Sequence, residues 1–409
     1  MALMSNPATA AAADRAPRVF ISAAEPSGDL HGASLIEAFR RLRPGAQFAG
    51  LAGPRMRAAG CLAIEDLTER SSMLLGVIGS LGSVPGLLAR VDRRLAAGRF
   101  DAAVLVDSPL LNLTLARRAK ARGLPVLYYV APQVWAWAEY RWRKLRDRVD
   151  RMAVVLPFEE AYFADRGIPA RYVGHPLFDA LSAWTVNQSR VSALRGESGA
   201  GPVLGLLPGS RRQVVAEVLP GQLEVAAEVR KRHRRARFLV SVANPRVGSL
   251  VRGLVAASGL EAVTLHGENA ELINACDLLL VASGTATLEV AFHHKPMIVM
   301  YNHSRLGYQL LGRWLIATKY LCLLNILAGR EIVPEYMPYY RSVRPIAERA
   351  IELLATRQRL ERMSRELKEL MDPMVRPGAS ENTARMLLEL IGSRPARTCP
   401  RGGWRRQIW

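Results

Sequence analysis

Residues 101–113 read DAAVLVDSPLLNL. The unbroken apolar run Ala102–Val106 marks a strand covered on both faces, as in a parallel sheet, because a half-exposed strand would alternate. It stops on a carboxylate, Asp107. Ser108 and Pro109 then suit a helix start, as N-cap and first helical residue of a helix reaching Gly123. Asp107 therefore falls at the carboxyl end of a parallel strand, where such sheets meet their ligands. The same strand-then-helix unit recurs in RVFISAAE, QFAGLAG, PVLYYVAP and RMAVVLP, and later in VLGLLPG, ARFLVSVA, DLLLVAS and PMIVMY. The expected fold is α/β: two Rossmann-like parallel-sheet domains facing a cleft, with C-terminal helices packing back across them.

The 409 residues, half apolar and 22 % charged, suffice for two domains of ordinary size. Ser, Gly and Asn interrupt the apolar rhythm over 185–201, which reads as a linker between domains 17–184 and 202–375. Residues 1–16 read as an unstructured leader, 376–392 as a helix returning toward the first domain, and 393–409 as a basic tail. Cys61, Cys276, Cys322 and Cys399 form no C-x-x-C pair, which argues against a zinc site or a disulfide framework and fits a reducing cytosol.

The formal charge of +20 attracts anions of any kind. None of the basic clusters carries a zinc-finger or RNP signature, so no nucleic-acid partner is expected. The stretch Met73–Leu88 is too short and too interrupted by glycine and Pro85 to span a bilayer. Met73, Leu74, Leu75, Val77, Ile78 and Leu81, followed by Arg90, Arg93 and Arg94, suit an interfacial contact with anionic lipid.

Three loops after strands could carry chemistry. In AEPSGD, Glu25 and Ser27 lie beside the expected cleft, Gly28 suits a tight turn and Asp29 a helix N-cap. In LLPGSRRQ, Ser210, Arg211 and Arg212 at a helix start make an anion site. In VASGTATLE, the small residues Ser283, Gly284, Thr285, Ala286 and Thr287 let a phosphate approach the backbone. Glu289, read in the first helical turn, could accept hydrogen bonds from a ribose diol. The chain has no Asp-x-Asp, so charge on a leaving diphosphate would fall to arginine and helix ends, with no metal or other cofactor.

With these loops, the segments AEPSGDLHGASLI, GLAGPRMRAAG, YYVAPQVWAWAEYR, LPFEEAYF, YVGHPL, LLPGSRRQVV, LVASGTATLEVA and LNILAGREIVPE occur in this order. The sequence resembles the lipid-A-disaccharide synthase family of GT-B glycosyltransferases. The resemblance implies inverting transfer of a diacylglucosamine unit from UDP-2,3-diacylglucosamine to the 6-hydroxyl of 2,3-diacylglucosamine 1-phosphate. The products would be UDP and a β(1→6) disaccharide phosphate.

Carried over, Ser210, Arg211, Ser283–Thr287, Glu289, Asn325 and Arg330 would bind the donor. Glu25, Ser27, Gly28, Asp29, Asn112 and Gln133 would line the acceptor side; Asp107, from its place at the carboxyl end of a parallel strand, is the candidate general base for the acceptor hydroxyl. Trp135 and Trp137 better suit core burial, and His175 a hydrogen-bonded structural role. Where the family commonly reads D-A-P-D-F-N this chain has DSPLLN, so Leu110 replaces a second acid. Pro26 stiffens the first loop.

Long-chain substrates imply a cytoplasmic enzyme held peripherally on the inner face of a Gram-negative-type cytoplasmic membrane, with homo-oligomers open. The alternatives are a MurG-like transferase, a UDP-sugar epimerase, or a basic membrane-binding protein on an inactive scaffold.

Overall fold

A computed structural model of the chain describes residues 15–66, 83–136, 139–196, 201–302 and 318–393. Two compact units emerge. The first runs to Gln133 and adds Tyr140–Gly174 and the chain from Gly378; the second comprises Val134–Glu139 and His175–Pro377.

In the first unit β1 (Arg18–Ala23), β2 (Gln47–Leu51), β3 (Cys61–Glu65), β4 (Ala102–Val106), β5 (Val126–Tyr129), β6 (Arg151–Val154) and β7 (Ala170–Tyr172) form one sheet. All pairs are parallel, in the order β3-β2-β1-β4-β5-β6-β7. In the second unit β8 (Val203–Leu207), β9 (Arg237–Val242), β10 (Val263–His266), β11 (Leu278–Ala282), β12 (Met297–Met300) and β13 (Glu335–Tyr336) follow the order β10-β9-β8-β11-β12-β13. The strand order of each sheet thus reverses once, between β1 and β4 and between β8 and β11. A doubly wound sheet opens its crevice at that switch point.

The central strands β4, β8 and β11 are buried at every position, as their unbroken apolar runs require. Carboxylates tie the opposite edges of the sheets. Asp101, Asp150 and Asp277, each just before a strand, accept the N–H of Arg18, Val126 and Val203 on the neighbouring strand, all at 2.8 Å. The helix Ala379–Gly392 packs within the first unit on the helix Pro26–Leu42. Asn382 Nδ2 donates to Val173 O (3.0 Å), and Glu389 pairs with Arg151 and Arg171.

Several expectations are corrected. Residues 185–201 are not a bare linker: they contain the helix Gln188–Arg195, pinned to the second unit by Arg190–Glu268 and Arg195–Asp277 ion pairs. The helix after Asp107 spans Pro109–Ala121 rather than reaching Gly123, which follows it in the left-handed region at φ 66°. Ser108 occupies the N-cap position, yet its side chain caps nothing. Its backbone is left-handed (φ 46°, ψ 64°), whereas a capping serine needs an extended backbone to aim its oxygen at the first turn.

No helix among the described residues is long and apolar enough to cross a membrane. The proposed interfacial residues Met73, Leu74, Leu75, Val77, Ile78 and Leu81 lie outside the described residues, as do Trp137, most of the leader and nearly all of the tail.

Candidate active site

At the switch point of the first sheet, the loops after β1 and β4 stand side by side, because Ala23 pairs with Val106. After β1, Glu25 is the N-cap of the helix Pro26–Leu42. Glu25 is half-buried and Ser27 exposed at this rim. Gly28 lies inside the first helical turn, not in a left-handed turn, so its flexibility is not what the loop uses.

Asp29 does not cap its own helix. It is 2 % exposed, and its carboxylate accepts N–H bonds from Arg55 (2.9 Å) and Met56 (3.1 Å) at the start of the helix Pro54–Ala58. A buried carboxylate so employed is part of the frame and not an acceptor contact.

After β4 the backbone is strained. Asp107 (φ 51°) and Ser108 (φ 46°) are left-handed, and Val130, just past β5, is too (φ 60°). Val106 pairs with Tyr129, so three of the four positive-φ non-glycine residues of the described chain sit on one edge. Each costs about 1–3 kcal/mol and persists only where neighbours over-determine it; such strain gathers at active sites. Here Asp107 N–H donates to Tyr129 O (3.0 Å), while Asp107 O accepts from Tyr128 Oη (2.6 Å) and Asn112 Nδ2 (2.7 Å). The Asp107 residue itself is half-buried.

Asn112 is fully buried, and its amide also donates to Val106 O (2.9 Å) and accepts from Ser22 Oγ (2.8 Å). The acceptor-lining role expected of it is therefore corrected: Asn112 faces the interior. Gln133 is exposed. Sequence reading passed over His31, whose ring lies 6.5 Å from that of Tyr129. Burial, helped by the charge of Arg55, lowers its pKa to about 4, so it is neutral at physiological pH. The only sequence signal was its place in AEPSGDLHGASLI.

In the second unit Leu207 pairs with Val281, which brings the loops after β8 and β11 together at the carboxyl edge. Exposed Arg211 is the N-cap of the helix Arg212–Arg232, next in the chain to the first N–H groups of that helix. Ser210 O is held by Asn244 Nδ2 (2.9 Å), whose Oδ1 caps the next helix through Arg246 N–H (3.1 Å). Asn244, which sequence reading missed, thus joins the loops after β8 and β9. Burial and the charge of Glu217 raise the Tyr301 phenol, and Arg211 opposes them.

In the loop after β11, Gly284 (φ 138°, ψ −156°) begins the helix Thr285–Phe292, and a Cβ there would meet nothing within 4 Å among the described residues. Gly284 and Thr285 are exposed, Ser283 and Ala286 half-buried. Thr287 turns inward at 2 % exposure, its Oγ1 donating to Gly284 O (2.8 Å). That bond holds the turn and removes the hydroxyl from the cradle. Glu289 lies in the second helical turn, not the first. Burial raises its carboxyl pKa, and a hydrogen bond to Asn269 offsets part of the rise.

Two donor residues carried over from the family pattern are engaged by protein groups. Asn325 is fully buried: its Nδ2 donates to Val333 O (2.9 Å) and Glu335 (3.0 Å), and its Oδ1 accepts from Ile332 and Val333. It braces residues 332–335. Arg330 is exposed and faces Glu366 at 3.4 Å. His175 caps the helix Pro176–Ser182, its Nδ1 accepting from Leu177 N–H (3.1 Å), and Trp135 is 8 % exposed. Among the described residues no three His, Cys, Asp or Glu side chains converge as metal ligands.

The model of the lipid-A-disaccharide synthetase family matches residues 19–389. The chain belongs to that family. A lipid-A-disaccharide synthase of Geobacter metallireducens is 36 % identical over 378 residues, covering 92 % of this chain and 98 % of the relative.

Solved structures agree on the fold. The UDP-GlcNAc 2-epimerase of Neisseria meningitidis superposes with a TM-score of 0.54 at 11 % identity, covering 92 % of this chain and 99 % of the other. The calicheamicin glycosyltransferase CalG4 superposes with a TM-score of 0.57 at 14 % identity, covering 94 % and 100 %. Membership of the synthetase family makes the chain a GT-B glycosyltransferase of lipid A biosynthesis, acting on lipid-linked sugars, and disfavours the epimerase reading.

Proposed function

We propose that the protein transfers diacylglucosamine from UDP-2,3-diacylglucosamine to the 6-hydroxyl of 2,3-diacylglucosamine 1-phosphate, with inversion and without a metal. The observation that carries the mechanism is Asp107: a carboxylate-bearing residue at the sheet's switch point on left-handed backbone held by three hydrogen bonds. In this reading Asp107 takes the proton of the acceptor hydroxyl as its oxygen bonds to the anomeric carbon and the bond to UDP breaks. Charge grows on the departing diphosphate. Arg211 and the backbone N–H groups opening the helices Arg212–Arg232 and Thr285–Phe292 meet it, supplying the stabilisation a metal would otherwise give. Glu289 accepts from the ribose hydroxyls, and Glu25, Ser27 and Gln133 line the acceptor side.

Asp107→Asn tests this directly. Loss of a general base lowers kcat by about 10²–10⁴-fold, whereas UDP affinity and the unfolding midpoint should stay near wild type. Turnover close to wild type would remove Asp107 from the mechanism.

The acyl chains are collected at the membrane surface in this proposal, through the stretch Met73–Leu88, of which residues 73–82 lie outside the described residues, and the helix Ser83–Ala97 that the stretch runs into. On that helix Arg90 is engaged by Glu65, while Arg93 is exposed and Arg94 half-buried. Each basic residue near an anionic surface contributes about 1 kcal/mol.

A further inference from the structure

We infer that Asn112 is the positioning residue for Asp107, its buried amide holding the left-handed peptide from which the carboxylate reaches the acceptor. The inference rests on the reading of Asp107 as general base. A strand-to-helix junction built for stability alone would extend Ser108 and let its hydroxyl cap the helix. This junction does the opposite. Ser108 Oγ is buried without a partner among the described residues, and two successive non-glycine residues are left-handed.

What keeps them there is legible atom by atom. Asn112, one turn into the helix Pro109–Ala121, donates to Val106 O and Asp107 O together. Its own orientation is fixed because Ser22 Oγ on β1 donates to its Oδ1. From β5, Tyr128 Oη adds a second donor to Asp107 O, and Tyr129 O takes the Asp107 N–H. The peptide is thus gripped from β1, β5 and the helix at once. The backbone position from which the Asp107 carboxylate extends is thereby fixed. A base so held keeps its reach to the hydroxyl, and a shift of about 1 Å costs about a hundredfold in rate.

The test is a cycle of Asp107→Asn, Asn112→Ala and the double variant, read as single-turnover rate and as UDP affinity by calorimetry. Asn112→Ala should lower the rate about a hundredfold while leaving UDP affinity within about twofold, since UDP is held by the other unit's loops. In the Asp107→Asn background, removing Asn112 should change the residual rate by less than about twofold, because its effect runs through Asp107. Adding Ser108→Gly to Asn112→Ala should recover about tenfold, since glycine accepts a positive φ without the amide's help. A merely structural role would not produce that pattern.

If Asn112→Ala does not fold, Tyr128→Phe, which deletes one donor and keeps the ring, should still lower the rate about tenfold with UDP affinity intact. Losses that multiply in the double variant, or an inactive Asp107→Asn beside a fully active Asn112→Ala or Tyr128→Phe, would overturn the inference alone. A fully active Asp107→Asn would instead overturn the reading of the base.

Discussion

Replacing Gly284 with alanine separates the cradle from the fold. The φ of 138° and ψ of −156° place Gly284 in a region essentially confined to glycine, so an L-residue there costs about 1–3 kcal/mol in the folded state. Sterics from the described residues add nothing, since the new Cβ would meet none of their atoms within 4 Å. That empty space is where the proposal seats the donor diphosphate. A methyl group standing in it removes at least one charge-assisted contact to the backbone, worth about 1.5–3 kcal/mol. UDP should therefore bind about 10- to 150-fold more weakly. Urea unfolding of the free protein reads the first effect, and calorimetric titration with UDP the second. The two are linked: protection by a fixed, saturating concentration of UDP should shrink by the lost binding free energy, about 1.5–3 kcal/mol. Unchanged UDP affinity beside lowered stability would refute the cradle, and unchanged stability would refute the strain.

Glu289 gives a pH signature whose sign follows from its burial. Its folded pKa is raised, so its contribution to stability is present in acid and lost as pH rises through that value. The ionised form is the one that accepts two ribose hydroxyls, so UDP affinity should fall on acidification from pH 8 toward the carboxylate range. Glu289→Gln should bind UDP more weakly at pH 8 without that dependence, yet unfold no more easily; a variant with wild-type affinity would exclude the ribose contact. Arg93→Glu with Arg94→Glu should reduce flotation with phosphatidylglycerol vesicles by about tenfold or more and leave phosphatidylcholine vesicles unaffected. Equal binding to both lipids would contradict the surface contact.

The interior of the fold was legible in the sequence, and its edges were not. The nine apolar runs correspond to strands inside the two sheets, where both faces are covered. The strands β3, β7, β10 and β13 went unread, and they are the four edge strands, short and half-exposed, with mixed composition. The places of Arg211, Gly284 and Asp107 at the carboxyl edges of the sheets were legible because a strand end, a helix start and a distinctive residue coincide.

Asp29, Asn112 and Asn325 carry the same polar signal but face inward. For two of them the phase was available. Asn112 shares a helical stripe with Leu115, Ala116 and Ala119, and Asp29 one with Gly32, Ala33 and Ile36. A polar residue on an apolar stripe is more often a frame residue than a ligand. The bracing by Asn325 of residues 332–335 is non-local along the chain and leaves no periodic trace. Nor does composition announce a left-handed Ser-Pro junction, since Ser108 and Pro109 read as an ordinary cap.

The central claim is tested most directly by the reaction itself. Purified protein in EDTA, given UDP-2,3-diacylglucosamine and 2,3-diacylglucosamine 1-phosphate, should release one UDP for each β(1→6)-linked disaccharide phosphate formed. No UDP release from that pair, with soluble UDP-N-acetylglucosamine consumed in its place, would contradict the account.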